Sequence, residues 1–231
     1  MCIRDSAYTV RPSLDALVAE LNAGRPVLVL QNFGSARAPA WHYAVVVGYQ
    51  RAQGRLLLRT GTTRRDAIAV ARFDATWRRA DRWGIVLVKP DEPPAGAEVD
   101  AWLTAAGELS ATAGREVAAP AYAAAVRRWP GASQSWLGLG NALLAAGDVG
   151  GAEAAFTAAI RARPGDAASR NNVALLLAGR GCFQAATAAI GRARADARGT
   201  TFEAEVDDSA RQIAQTATND AALCPSPDTV R

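Results

Sequence analysis

Several residue types and motifs are scarce or absent in this sequence, and each absence excludes a class of protein. No apolar run approaches the ~18–20 residues that a membrane-spanning helix needs, so no integral membrane segment is expected. No Cys-x-x-Cys pair, His-Glu-x-x-His motif or phosphate-binding glycine loop occurs in a suitable setting. Neither a metal site nor a cofactor is therefore predicted. The 231 residues are 50% hydrophobic, which excludes disorder throughout the chain.

The charged residues are unevenly distributed along the chain. Lysine occurs once and arginine 25 times, and the arginines are scattered rather than gathered into one run, so nucleic-acid binding is not predicted. Residues 1–90 carry 14 basic and 6 acidic groups, a net +8, whereas the remainder carries 12 and 16, a net −4. Alanine rises from 16 in the first hundred residues to 32 in the second. Two units of different character are expected.

The first six residues, Met-Cys-Ile-Arg-Asp-Ser, lack the charged start and apolar core of a signal peptide. They resemble the spurious start of a metagenomic reading frame, and the sequence becomes protein-like only from Ala7-Tyr8. We therefore expect a missing N-terminal portion. The sequence assigns no localisation, and export to the periplasm or as a lipoprotein is expected only if that portion carries a signal.

The first ninety residues have the pattern of a small α+β unit. Leu14, Leu17, Val18 and Leu21 have helical spacing, and Phe73 and Trp77 lie four apart on a second helical segment. Apolar runs bounded by turn residues predict buried strands. These strands are predicted at 26–31, 41–49, 55–59, 67–72 and 84–89. A twisted antiparallel sheet with short helices follows.

Residues 90–96 contain three prolines in seven positions, which interrupts any helix or strand crossing them. We place the domain boundary there. The predicted domains are a sheet domain at 1–90, a proline-rich linker at 91–97 and a helical domain at 98–231.

A period of 34 residues begins after Gly96, visible in Trp102 and Trp136 and in Pro130 and Pro164. This period, with large, small and helix-terminating residues at fixed positions within it, is the signature of the tetratricopeptide repeat. Three repeats are predicted, with a capping helix at 201–218. Such arrays bind a protein or peptide partner in their groove. Candidate concave-face residues are Asn141, Asn171 and Asn172, which either hold a peptide backbone or tie helices together.

The residues around the single histidine, His42, resemble a known family. The order helix, Gly-Arg-Pro-Val-Leu-Val-Leu-Gln, loop and Trp-His-Tyr-Ala-Val-Val-Val-Gly-Tyr is similar to the second half of the bacteriocin-processing, double-glycine-leader cysteine peptidases. Residues 8 to about 195 resemble a bacterial cysteine-peptidase-like family with tetratricopeptide repeats. The resemblance implies an α+β papain-like half-domain followed by an all-α tetratricopeptide solenoid.

The resemblance also implies roles for site residues. In such peptidases a cysteine is the nucleophile, a His-Tyr histidine is its general base, and an Asp orients the histidine. The base is His42, and the orienting position is Thr60, whose hydroxyl is a weaker partner than a carboxylate. Asp66 is an alternative to Thr60, although a solvated turn residue is the favoured interpretation of it. A strand-edge histidine with a purely structural role is the competing interpretation of His42.

The nucleophile of that family has no counterpart in the sequence. Its Gln-x-Cys type of motif is absent, and Cys2 has neither the preceding glutamine nor a following helix. The chain as given is therefore expected to be inactive in peptide hydrolysis.

Other residues near the predicted site admit two interpretations. Gln31 and Asn32 follow a strand end, so they face a cleft or cap the following loop. Trp41, Trp77 and Trp83 are predicted to be core or cleft walls.

Cys182 and Cys224 are two unrelated thiols or, in an exported protein, a disulfide that fastens the capping helix to the last repeat. Such a bond would close a loop of about forty residues and contribute about 3–4 kcal/mol.

Two functions follow from these observations. The first is a fragment of a cysteine peptidase that hydrolyses a peptide substrate by a Cys-His mechanism, with the repeats recruiting a protein partner. The alternative is a non-catalytic peptide-binding or scaffold module with a degenerate peptidase fold, which the missing cysteine and Thr60 both favour.

Overall fold

A computed structural model describes residues 6–94 and 96–216 of the chain. The chain divides into two compact units, Met1–Ala106 and Gly107–Arg231. Among the described residues, the first unit contains a sheet, two helices and the first half of a third, and the second unit is helical. The boundary predicted at 91–97 stays a prediction.

The N-terminal unit is built on one six-stranded sheet in which every pair of neighbours is antiparallel. The strand order is β1-β6-β2-β3-β4-β5. The strands are β1 Ser6–Thr9, β2 Val27–Asn32, β3 Trp41–Gln50, β4 Arg55–Thr60, β5 Thr63–Ala69 and β6 Gly84–Val88. The helices of the sheet are α1 Leu14–Asn22 and α2 Val70–Arg78. The predicted α+β antiparallel layout is confirmed.

One face of this sheet forms the core of the unit. Alternate side chains of β2 and β3, such as Val29 and Val46, are fully buried because successive residues of a strand point to opposite faces. They pack with Leu17 of α1 and with Phe73 and Trp77 of α2, each of which has no exposed surface. The helices therefore cover this face alone, and the alternate residues of the same strands lie on the other face.

Two elements differ from the prediction. The strand expected at 67–72 runs earlier, from Thr63 to Ala69, and helix α2 begins at Val70. Helical geometry from that point is what brings Phe73 and Trp77 onto the same buried side. Strand β1 was not predicted, and it pairs with β6 at the far edge of the sheet.

The tryptophans of this unit have different environments. Trp77 is buried as predicted, and its indole nitrogen donates a hydrogen bond to the carbonyl of Trp83 at 2.8 Å. Trp41, by contrast, is 57% exposed. It is therefore not a core residue, because its position on β3 alternates with that of the buried Ala44 and Val46.

Seven helices follow the sheet in the part of the chain that the structure describes. They are α3 Val99–Ala113, α4 Arg115–Arg128, α5 Ser133–Ala145, α6 Val149–Ala162, α7 Ala167–Gly179, α8 Phe183–Ala197 and α9 Glu203–Thr216. Helices α5/α6 and α7/α8 pack as two hairpins, with α4 against α5 and α9 against α8. The helix predicted at 201–218 corresponds to α9, and its capping role stays a prediction. None of the helices that the structure describes is long and apolar enough to cross a membrane.

The first predicted repeat is divided, since the boundary between the compact units falls inside α3. Trp102 was expected to be the large residue of that repeat. Its ring instead lies 6.2 Å from the ring of Tyr8, within the N-terminal unit. The Tyr8 hydroxyl also accepts a hydrogen bond from the Glu98 amide at 3.2 Å. These contacts explain why the first half of α3 belongs with the sheet.

Glycine is required where the hairpin helices approach each other. A Cβ added at Gly140 of α5 would overlap the ring of Phe156 on α6, and one added at Gly138 would overlap Tyr122 on α4. The aromatic ring occupies the space that a side chain would need. Glycine opposite an aromatic ring is therefore what lets these helices pack closely.

Candidate functional site

The histidine singled out in the sequence lies near the end of the sheet. His42 of β3 is half-buried and stands opposite Gln31 of β2. Its Nε2 shares a hydrogen bond with the hydroxyl of Thr60 on β4, the residue at the position that the family resemblance implied. The imidazole also packs against the ring of Phe33, with ring centroids 5.4 Å apart. The Phe33 contact was not anticipated, because it depends on how the loop after β2 folds back.

This geometry leaves Nδ1 of His42 as the nitrogen available to a further partner. Cys182 is the one cysteine among the residues the structure describes, and it belongs to the other compact unit. A threonine hydroxyl is neutral and stabilises an imidazolium less than a carboxylate does. The catalytic roles of His42 and Thr60 stay predictions.

The alternative orienting residue, Asp66, lies on β5 opposite Leu58. It is exposed, and no hydrogen bond or ion pair joins it to His42 in the described part of the chain. Thr60 is thus the residue that the fold brings to the imidazole.

Gln31 and Asn32 are both buried, and their side chains are committed to the surrounding structure. Asn32 Oδ1 accepts hydrogen bonds from the amides of Gly34 and Ala40, each at 2.9 Å. Asn32 therefore caps the loop, which was one of its two interpretations. Gln31 Nε2 donates to the hydroxyl of Thr76 on α2 at 2.6 Å, so it anchors the helix to the strand end.

A cluster of charged residues that the sequence analysis did not identify lies on α2 and in the turn that follows it. Asp74 accepts hydrogen bonds from Arg82 at 2.9 and 3.2 Å and from Arg78 at 2.6 Å. The hydrogen bonds from Arg82, followed by those from Arg78, hold the pKa of Asp74 below its usual value despite the opposing effect of burial. Asp81 and Arg82 both have a φ of 52°, a left-handed conformation that costs free energy in residues other than glycine. The cluster offsets this cost and has a structural role. The four-residue spacing of Asp74 and Arg78 is the signal that was available in the sequence.

The candidate residues of the repeats lie on the first helices of successive hairpins. Asn172 Nδ2 of α7 donates a hydrogen bond to Asn141 Oδ1 of α5 at 3.0 Å, and both residues are half-buried. Asn171 is buried, and its Oδ1 has no hydrogen-bond partner in the described structure. The paired asparagines thus tie two helices together while keeping part of their amide groups accessible.

Of the predicted cysteine pair, only one residue lies in the described part of the chain. Cys182 is buried at the N-terminal end of α8 and is disulfide-bonded. Cys2 and Cys224 both lie outside the described residues. The predicted Cys182–Cys224 disulfide stays a prediction. In the parts of the chain that are described, no group of three or more His, Cys, Asp or Glu residues is placed to hold a metal ion.

Comparison with known families identifies the type of repeat in the helical part of the chain. Residues 103–167 and 140–200 match the tetratricopeptide repeat family. The C-terminal part of the chain is therefore an array of tetratricopeptide repeats, the class of fold that its helical hairpins define. The match does not reach the N-terminal sheet, so the papain-like identity of that sheet stays a prediction. A search of curated proteins finds no match to the chain.

Several solved structures are similar to about half of the chain. The TPR2B domain of yeast Sti1, in its pHsp70 complex, is 17% identical with a TM-score of 0.47, covering 51% of this chain and 96% of that one. The Yersinia enterocolitica type III secretion chaperone SycD, with a peptide of the translocator YopD, is 16% identical with a TM-score of 0.47, covering 52% and 95%. The Thermobaculum terrenum O-GlcNAc transferase is 18% identical with a TM-score of 0.45, covering 50% and 22%.

Proposed function

We propose that the protein is a non-catalytic peptide-binding scaffold whose repeats receive a peptide of a partner protein beside Asn141 and Asn172. The observation that carries this proposal is the hydrogen bond between the two amides across α5 and α7. It uses one donor of Asn172 and one acceptor lone pair of Asn141, so donors and acceptors remain on both side chains. A peptide backbone offers the complementary groups at regular intervals.

The surroundings of the amide pair favour a binding role. Leu137 of α5 and Leu175 of α7 are partly buried hydrophobic residues beside the packed core of the hairpins. Polar groups placed among apolar side chains are typical of sites that orient a ligand while burying its apolar surface. A purely structural pair would satisfy the same hydrogen bond without binding a peptide, and the experiment below separates the two roles.

The experiment selects binders from a random peptide library displayed on phage and measures the Kd of a selected synthetic peptide. We expect Asn141→Ala and Asn172→Ala each to raise the Kd by about 3- to 10-fold, the effect of losing one hydrogen bond. Arg192→Ala, at an exposed position on α8, is the matched control and should leave the Kd unchanged. Selected peptides whose Kd is the same for all three variants would exclude binding at the asparagine pair.

A second candidate function is favoured by the hydrogen bond between His42 and Thr60. In this hypothesis the chain is an N-terminally truncated fragment of a bacterial cysteine peptidase, and a thiolate supplied by the missing portion attacks the peptide carbonyl. His42 would accept the thiol proton and return it to the leaving amine.

The two hypotheses are separated by restoring the upstream coding sequence and exposing the longer chain to a thiol-reactive peptidase probe. Labelling that disappears in His42→Ala would support the peptidase. Labelling that is absent or independent of His42 supports the scaffold, in which the sheet is a degenerate peptidase fold.

A further inference from the structure

The face of the sheet opposite α1 and α2 carries a continuous apolar surface. Strand register places Leu28 beside Val45 on one side and Ile85 on the other, and Leu30 beside Tyr43. These residues alternate with the buried core residues of the same strands, so they share the face that the helices leave uncovered. We call this surface the open face, and it consists of Leu28, Leu30, Trp41, Tyr43, Val45, Leu57, Trp83, Ile85 and Leu87 together with the arginines described below.

Large side chains on the open face are exposed to an unusual degree. Tyr43 is 59% exposed and Leu87 is 64% exposed. Tyr43 and Trp83 contact each other edge to face, with centroids 6.0 Å apart and an interplanar angle of 73°. Trp41 lies two residues before Tyr43 and therefore on the same side of β3. An exposed patch of this kind marks an interaction surface in proteins that are otherwise polar outside.

Arginines adjoin the apolar residues on the same face. Arg59 of β4 stands opposite Val45, and Arg55 shares its side of the strand. Arg65 of β5 alternates with Asp66, which pairs with Leu58 on the helix-covered side. None of the three guanidinium groups makes a hydrogen bond or ion pair with any residue that the structure describes. The sequence shows these arginines as scattered, and only the strand pairing brings them together.

The charge of the open face has one sign. Its strand positions in the described structure carry arginines and no carboxylate, since Asp66 belongs to the other face. A second copy paired through this face would set its own arginines or apolar side chains against these arginines and would supply no carboxylate to pair with them. The complementary occupant is one that supplies carboxylates at the β4–β5 side and apolar side chains at the β6–β2–β3 side.

We propose that the open face binds an acidic amphipathic segment of a partner polypeptide. Aliphatic side chains from three strands form the larger part of the surface, and these need an apolar partner rather than stacked bases. The carboxylates of the segment pair with Arg55, Arg59 and Arg65. The inference rests on the sheet alone and is independent of the function proposed for the repeats.

The test uses the full chain and a synthetic amphipathic helical peptide with leucines along one side and glutamates along the other. Arg59→Glu reverses a charge on the open face. Arg51→Glu is the matched control, because Arg51 is exposed but lies beside Leu14 and Val18 of α1, on the side that the helices cover. Both variants change the net charge equally, so only the position of the charge differs between them.

We expect the acidic peptide to bind, with a Kd that rises about tenfold in Arg59→Glu and less than about twofold in Arg51→Glu. Leu87→Thr, which keeps the preference for a strand, should raise the Kd about threefold because apolar contact is lost. Added salt should weaken binding. Circular dichroism of each variant checks that the sheet is intact.

Four results would overturn the proposal. They are no binding of the acidic peptide, equal losses in the two arginine variants, equal binding of a peptide with lysine in place of glutamate, and competition by another ligand class. The competitors are oligothymidylate and phosphatidylglycerol vesicles, which test a nucleic acid and a lipid surface. Failure of both to displace the peptide supports a polypeptide partner.

Discussion

The two compact units bury different kinds of side chain. The sheet unit buries a few large residues, and Trp77 and Phe73 have no exposed surface. The repeats bury small ones among their aromatic residues. Their fully buried alanines include Ala118, Ala125, Ala142, Ala152, Ala159, Ala174, Ala186 and Ala193. The sheet is therefore sensitive to lost volume, whereas the hairpins are sensitive to added volume.

The largest effect is expected from removing volume in the sheet unit. Trp77→Ala leaves a cavity beneath α2 and deletes the hydrogen bond to the carbonyl of Trp83, so we expect a loss of about 4 kcal/mol in the free energy of unfolding. Thermal unfolding followed by near-ultraviolet circular dichroism measures it. The helical signal of the repeats should persist where the sheet has melted.

Trp41→Ala removes the same side chain from an exposed position and should cost less than about 0.5 kcal/mol. Similar losses of unfolding free energy in both variants would contradict the view that lost buried volume is what destabilises the sheet unit.

The next effect comes from adding volume in the repeats. Gly140→Ala places a methyl group against the ring of Phe156 and should destabilise the hairpin by about 2–3 kcal/mol. Gly191→Ala is the matched control, because no atom lies near its added Cβ on α8. There the same change should stabilise the helix by up to about 1 kcal/mol, the difference in helix propensity. Urea unfolding followed at 222 nm gives both values. The same sign for both would show that close helix approach does not limit the repeats.

A smaller effect is expected in the pH dependence of stability, which should differ between the two units. Because the pKa of Asp74 is lower in the folded chain than in the unfolded one, its contribution to stability is complete above about pH 4 and is lost as the pH falls through the folded-state value. The sheet unit should therefore lose stability on acidification. Asp74→Asn should lower its stability at neutral pH by about 1–2 kcal/mol and remove this part of the pH dependence. Thermal unfolding of both proteins between pH 3 and pH 7 measures the difference, and parallel profiles would exclude the role of the carboxylate.

Much of the fold could be predicted because its signals are local. Apolar runs and turn residues indicated β2, β3, β4 and β6, and helical spacing indicated α1 and α2. The 34-residue period located the hairpins and the last helix. The hydrogen bond between His42 and Thr60 was also anticipated, although from a family resemblance rather than from periodicity.

The rest was decided by contacts between residues distant in the sequence. Strand β1 has a short and ambiguous pattern, and pairing with β6 across about eighty intervening residues makes it a strand. Trp102 has the spacing of a repeat residue, yet the ring of Tyr8 gives it a place beside the sheet. In both cases a contact with a distant part of the chain, and not the local sequence, decides the structure.

By itself, the sequence determined which side chains alternate, which recur every 34 residues and where the helical hairpins lie, because these properties depend on neighbours along the chain. Only the tertiary structure decided that Arg55, Arg59 and Arg65 share a face with Tyr43 and Leu87. Strand order and register set this arrangement, and both follow from long-range packing of the buried face. Because side chains alternate along each strand, the packing of the buried face also decides which residues lie on the opposite face.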